Sequence, residues 1–262
     1  TYQLGSITIT GAFDLDGSIA AASSLSVSGV STIAGDITTT GAQTYTGAVT
    51  LAGDATLSTT NSNIKFESTL DGAQALTLDS GSANISLGAD VGASTALSAL
   101  TTTGLLQTSD DIYTTGNQTY NSAVTIAGAG TKTLLSTAGD IVFESTLQGG
   151  TNSKSNQTSL EVRTCATTGT ATSGCATGAI TFKDRVGYAF SDSTVYSGST
   201  FTDQNLYSLY ARANTINILA DIMTFETQTY SGDVLVGSVT TGDTTRTLLS
   251  VDPSITIHGT IN

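Results

Sequence analysis

DITTTGAQTYTGAVTL, residues Asp36 to Leu51, decides how this chain is read, because the sequence writes it three times. It returns as DIYTTGNQTYNSAVTI (Asp111 to Ile126) and as DIMTFETQTYSGDVLV (Asp221 to Val236). All three copies share Asp-Ile at the start, then Gln-Thr-Tyr ending at Tyr45, Tyr120 or Tyr230, then Val49, Val124 or Val234. Self-similarity of this kind signals a repeat architecture, and it takes precedence over any local reading. The likeness spreads outward: NSNIKFESTLDG (Asn61 to Gly72) answers AGDIVFESTLQG (Ala138 to Gly149).

Around these copies the chain is built from apolar-x-apolar pairs separated by glycine-containing turns. Examples are Ile7/Ile9, Phe13/Leu15, Leu25/Val27, Val49/Leu51, Ile64/Phe66, Leu76/Leu78 and Ile85/Leu87. A period of two places both members of a pair on one face of a strand and sends the intervening Thr, Ser or Asp to the other. Strands this short have too few cross-strand pairs to stand as hairpins, so they need similar neighbours above and below. Equivalent positions such as Ile7 and Leu25, or Leu57 and Leu76, lie about eighteen to twenty residues apart, which is one coil of a solenoid. The fold predicted is all-β: a right-handed parallel β-helix, its handedness taken from the crossover rule. Roughly 11 coils at about 4.8 Å each would extend on the order of 50 to 60 Å. Ile, Leu, Val and Phe fill its axis, while Thr, whose branched side chain favours extended backbone, lines the outside.

Aligning the repeats divides the chain into regular coils over 1–149, coils with three insertions over 150–213, and coils that resume over 214–262. Leu160/Val162 answer Leu76/Leu78 after added residues around Gly150 to Asn156. Ile180/Phe182/Val186 answer Ile85/Leu87/Val91 after a loop between Cys165 and Cys175. Leu206/Leu209 answer Leu97/Leu100 after a third insertion within Tyr188 to Asn205. Solenoids grow at turns and keep their strands. Cys165 and Cys175, the only cysteines, are read as a disulfide across that loop, which implies an oxidising compartment.

The decorated stretch concentrates Tyr188, Phe190, Tyr196, Phe201, Tyr207 and Tyr210, with Arg185 and Arg212 beside them. Two readings stay open. Long turns folded back on the coil need a satellite core; Tyr and Arg are also enriched at contact surfaces, here for a glycan or cell-surface ligand.

A net charge of −13 with only eight basic residues repels polyanions, so nucleic acid is not an expected partner. No apolar run approaches the roughly 20 residues of a membrane helix. A chain opening on Thr1 and stopping within SITIHGTIN reads as an internal segment. Few residues in the chain have the spacing that catalysis needs. Glycan cleavage needs carboxylates facing across a groove, yet Asp14/Asp16 read as a solvated turn and Asp111 as scaffold. His258 lies in SITIHGT with no nucleophile elbow anywhere in the chain. No catalytic residue, metal or cofactor is assigned. The repeated Tyr45, Tyr120 and Tyr230 are read as scaffold, stacked as a side-chain ladder, with Gln43, Gln118 and Gln228 bonding turn backbone.

The phrases GAQTYTGAVTL, IKFESTLDGAQALTLDSGSANISLG and GNQTYNSAVTI resemble the repeats of large bacterial surface adhesins, the filamentous haemagglutinin-like or β-strand-repeat class, over Asp36 to Val236 apart from the insertions. The resemblance implies an extracellular or cell-surface β-helix serving in adhesion, biofilm or surface-layer formation, with no catalytic residue. An open β-helix end leaves backbone groups unpaired, so self-association or continuation of the same solenoid is expected near Ile7/Ile9 and Ile255/Ile257. The alternative is a glycan-binding or glycan-cleaving β-helix.

Overall fold

The computed structural model describes residues 4–150, 157–165, 175, 177–187, 206–237, 246–250 and 254–262. These form strands and turns without a helix, and the strands pair in parallel, each with one a coil ahead of it. A parallel partner cannot be reached by a hairpin turn, so every short strand is joined to its neighbour in the sheet only by way of a whole coil. The chain divides into two compact units, Thr1–Ser122 and Ala123–Asn262, and each is a parallel β-solenoid.

In the N-terminal unit the inward positions form three columns. Ile7, Leu25, Gln43, Ile64, Ile85 and Leu106 make the first. Phe13, Ser31, Val49, Leu70, Val91 and Ile112 make the second. Ile19, Ile37, Leu57, Leu78, Thr102 and Tyr120 make the third. Apart from the first coil these residues are buried. The intervening residues face outward, and one outward column runs Thr56, Thr77, Thr101, Thr119. Ile7 meets Leu25 as the spacing predicts, but Leu57 lies beside Leu78 and Leu76 beside Ala55. The coil has lengthened there, so a fixed period slips by one inward pair.

Coils stack closely enough that some corners exclude a side chain. A Cβ on Gly29 would lie 2.3 Å from the carbonyl oxygen of Gly11, and one on Gly47 would lie 2.3 Å from that of Gly29. Glycine here answers a close approach of two backbones.

The C-terminal unit repeats the plan. Its columns are Val124, Leu147, Val186, Ile222 and Leu248; Leu134, Val162, Ala211, Tyr230 and Ile257; and Ile141, Ile180, Ile216, Val234 and Ile261. The alignment across the insertions holds in this geometry. Leu76 pairs with Leu100, and Leu160 pairs with Leu209. Val91 bridges to Ile112, and Val186 bridges to Ile222. Aromatic rings stack in both cores, Tyr45 on Phe66 with centroids 4.9 Å apart and Phe143 on Phe182 at 5.4 Å.

Candidate functional site

The thrice-written motif builds a buried polar corner between two consecutive strands of a coil. In the first copy Tyr45 Oη donates to Gln43 Oε1 at 3.0 Å. Gln43 Nε2 donates back across the corner to the carbonyl of Ile37 at 3.1 Å, to Thr39 Oγ1 at 3.3 Å, and to the carbonyl of Ser58 in the next coil at 2.9 Å. Thr39 Oγ1 then donates to the carbonyl of Gly41 at 2.5 Å. The second copy repeats this: Tyr120 donates to Gln118 at 2.8 Å, Gln118 to Thr114 at 3.2 Å, and Thr114 to the Gly116 carbonyl at 2.6 Å. In the third, Tyr230 donates to Gln228 at 2.9 Å, and Gln228 to the carbonyls of Ile222 at 3.3 Å and Leu249 at 2.7 Å. Gln43, Gln118 and Gln228 are each fully buried, as are the three tyrosines. A buried amide and phenol are tolerated because their polar atoms meet partners.

These corners cannot act as acids, bases or nucleophiles near neutral pH. Burial drives each phenol well above the ordinary tyrosine range and holds it protonated. The expected tyrosine ladder does not form. Tyr45 stands in a column with Val27 and Phe66, whereas Tyr120 stands opposite Thr102 in another. Between them the chain makes three coils and two further strands, so the motif returns on a different face.

Most of the acidic side chains whose contacts are resolved also serve the backbone, a role the sequence reading missed. Asp36 Oδ1 accepts the amide of Thr56 at 2.7 Å, Asp54 that of Ala75 at 2.8 Å, and Asp71 that of Ser94 at 2.9 Å. In the C-terminal unit Asp140 accepts the amide of Ala179 and Asp221 that of Thr247, each at 2.8 Å. A corner breaks the strand ladder and leaves an amide in the next coil without a carbonyl, and the carboxylate supplies the acceptor. Asp111 belongs to this scaffold: its amide donates to Asp90 at 3.1 Å and its carboxylate accepts from Tyr113 at 2.7 Å. Asp14 and Asp16 are exposed. His258, half-buried, ends the strand Ile255–His258 opposite Ser231. Among the described residues no group of three His, Cys, Asp or Glu side chains is arranged to hold a metal ion, and no helix is long and apolar enough to cross a membrane.

Cys165 and Cys175 form a disulfide with Cα atoms 5.6 Å apart. It closes the second insertion at its base. Thr164 on one side donates its hydroxyl to the Thr177 carbonyl on the other at 3.2 Å. Beneath lie Arg163 and Arg212, neighbours on adjacent strands and both largely buried. Arg163 Nε lies 3.2 Å from Glu161 Oε1, an ion contact whose angle is not that of an aligned hydrogen bond. Of the aromatic set, Tyr188, Phe190, Tyr196 and Phe201 lie outside the described residues. Tyr207 is half-buried and donates its hydroxyl to Glu226. Tyr210 and Arg185 are half-buried on the surface of the coil, while Arg212 is covered. The chain matches no protein family, no curated protein and no solved structure.

Proposed function

We propose that this chain is a passive structural segment of an extracellular filament or cell-surface protein, with its coils as scaffold and its inserted turns as the adhesive part. The observation that carries the reading is the direction in which recurring polar residues point. Gln43, Gln118 and Gln228 and the acidic corners bond the chain's own backbone, which is the use expected of a scaffold. The disulfide supports an oxidising setting. Adhesion then falls to the segment carrying Arg185, Tyr188, Tyr196 and Tyr207, where the third insertion adds aromatic residues to the regular coil.

A glycan array with the wild-type chain and a Tyr188→Ala, Tyr196→Ala, Tyr207→Ala variant tests this. Binding by the wild type, lost in a variant that keeps its circular dichroism, supports adhesion through the insertions. Release of new reducing ends from a bound polysaccharide would replace the passive reading with the glycan-cleaving one.

A further inference from the structure

The three insertions are separate in sequence but border one sheet. The first re-enters the coil at Gln157, just before the strand Thr158–Arg163, and the second leaves it at Cys165, just after that strand. The third re-enters at Leu206, just before the strand Leu209–Ile218. These two strands lie side by side, Leu160 against Leu209 and Arg163 against Arg212. The remaining corner of the coil takes none of this growth: Phe143 reaches Leu147, Phe182 reaches Val186 and Ile218 reaches Ile222 by the same short step, and the corner widens only further on, between Val236 and Leu248. Turns of a solenoid can lengthen at any corner, so insertions gathered on the two margins of one sheet single out its outer face.

The side chains on that face change in the same two coils. Its outward positions run Thr133, Glu161, Tyr210, Thr229 and Thr256, one per coil at about 4.8 Å. The corresponding file of the N-terminal unit is Thr56, Thr77, Thr101 and Thr119. Leu160 and Leu209 stand inward where Leu76 and Leu100 do, so packing inside the coil does not call for the change from threonine to glutamate and tyrosine. All five outward residues are half-buried and so reach solvent. Glu161 Oε1 is held 3.2 Å from Arg163 Nε. Tyr210, unlike the three corner tyrosines, has no hydrogen-bond partner for its hydroxyl among the described residues.

Resting on the reading that the inserted turns are the adhesive part, we propose that this outer face, centred on Glu161 and Tyr210, seats the ligand, and that the ligand is an uncharged polysaccharide chain lying along the coil axis. A sugar ring presents an apolar face rimmed by hydroxyls. The Tyr210 ring supplies a flat apolar surface with a polar tip. Glu161, fixed by Arg163, is a charged acceptor for sugar hydroxyls, and Thr133, Thr229 and Thr256 continue the row with donors and acceptors. A row that offers one contact per coil suits an extended polymer. Charge selects the class of polysaccharide. The ionic group in the file is a carboxylate, the guanidiniums of Arg163 and Arg212 in the next file are largely buried, and the chain carries −13 overall, so a polymer of uronates or sulfate esters is repelled.

Isothermal titration of the whole chain tests this, with cello-, manno- and xylo-oligosaccharides of increasing length as probes and hyaluronan oligosaccharides as the anionic control. The wild type is expected to bind a neutral series, more tightly as the oligosaccharide lengthens. Tyr210→Ala and Glu161→Gln are each expected to weaken that binding by at least about tenfold with the circular dichroism retained. Thr101→Ala, at the corresponding position of the N-terminal unit, should bind as the wild type does. Either variant alone decides the matter, so one that failed to fold would leave the other as the test. Preference for the anionic series, equal affinity of both variants and the wild type, or no binding by the wild type overturns the proposal. Equal affinity here together with loss of binding in the Tyr188, Tyr196, Tyr207 variant would keep the insertions as the adhesive part and remove only this face, so the two failures are told apart.

Discussion

The N-terminal and C-terminal units run the same coil through corners of very different length. Asp79 reaches Asn84 through a brief irregularity in the strand Ala75–Leu87, while the equivalent passage from Arg163 to Ala179 carries a disulfide-closed loop. Val91 is followed closely by Leu97, but Val186 reaches Leu206 only after the third insertion; both pairs nonetheless keep the same bridges, to Ile112 and Thr114 in one unit and to Ile222 and Thr224 in the other. Loop closure costs rise slowly with length, so corners are free to grow. Columns are not, because each inward residue is covered above and below.

The sharpest way to break that comparison is at a corner where two backbones touch. Gly29→Val in one unit and Gly232→Val in the other place a side chain 2.3 Å and 2.1 Å from a carbonyl oxygen. Each is expected to remove at least about 3 kcal/mol, seen as loss of the cooperative thermal transition. A Gly29→Val protein that melts with the wild type would mean that the coils are not so tightly stacked.

Next in size come the buried corners. Gln118→Leu and Gln228→Leu strand a phenol and backbone carbonyls, at roughly 2 to 4 kcal/mol each. Adding Tyr120→Phe to Gln118→Leu should recover part of that loss, because the orphaned hydroxyl goes with it. Denaturant midpoints of the single and double variants measure this, and equal losses in both units are the expected result.

Replacing Cys165 and Cys175 by Ser separates the units. A loop of this length is worth about 2 to 3 kcal/mol on the chain-entropy account. The loss should appear in amide exchange at Ala179 and Ile180 and leave Gln43 to Tyr45 unchanged. The smallest expected effect has the opposite sign. Thr102 buries a hydroxyl that has no hydrogen-bond partner, at the position where the C-terminal unit has Ala211. Thr102→Val should stabilise by about 1 kcal/mol, read as a rise in the denaturant midpoint.

The columns were legible in the sequence because period-two pairs such as Ile64/Phe66 and Ile85/Leu87 survive any change in corner length. The insertions were legible for the same reason, since Leu160 and Ile180 still answer Leu76 and Ile85 across them. What the sequence concealed are relations that depend on which residue lies one coil away. Asp36 looks like a surface charge until Thr56 is known to sit above it. Tyr45 and Tyr120 look like members of one ladder until the coil is counted and found to bring them to different faces. A coil that lengthens partway along the chain hides both.

The central claim is that the repeated Gln-Thr-Tyr segments are inward corners holding the coil, and a spectrophotometric tyrosine titration tests it most directly. The folded pKa of Tyr45, Tyr120 and Tyr230 is raised by burial. Their stabilisation is therefore complete below the unfolded value of about 10 and is lost as pH rises above it, by about 1.4 kcal/mol per tyrosine for each pH unit. The account predicts that these three ionise only together with unfolding, and that Tyr→Phe at each position removes one late-ionising group and no early one. Reversible ionisation of all nine tyrosines near pH 10, with the circular dichroism of the folded chain intact, would contradict it.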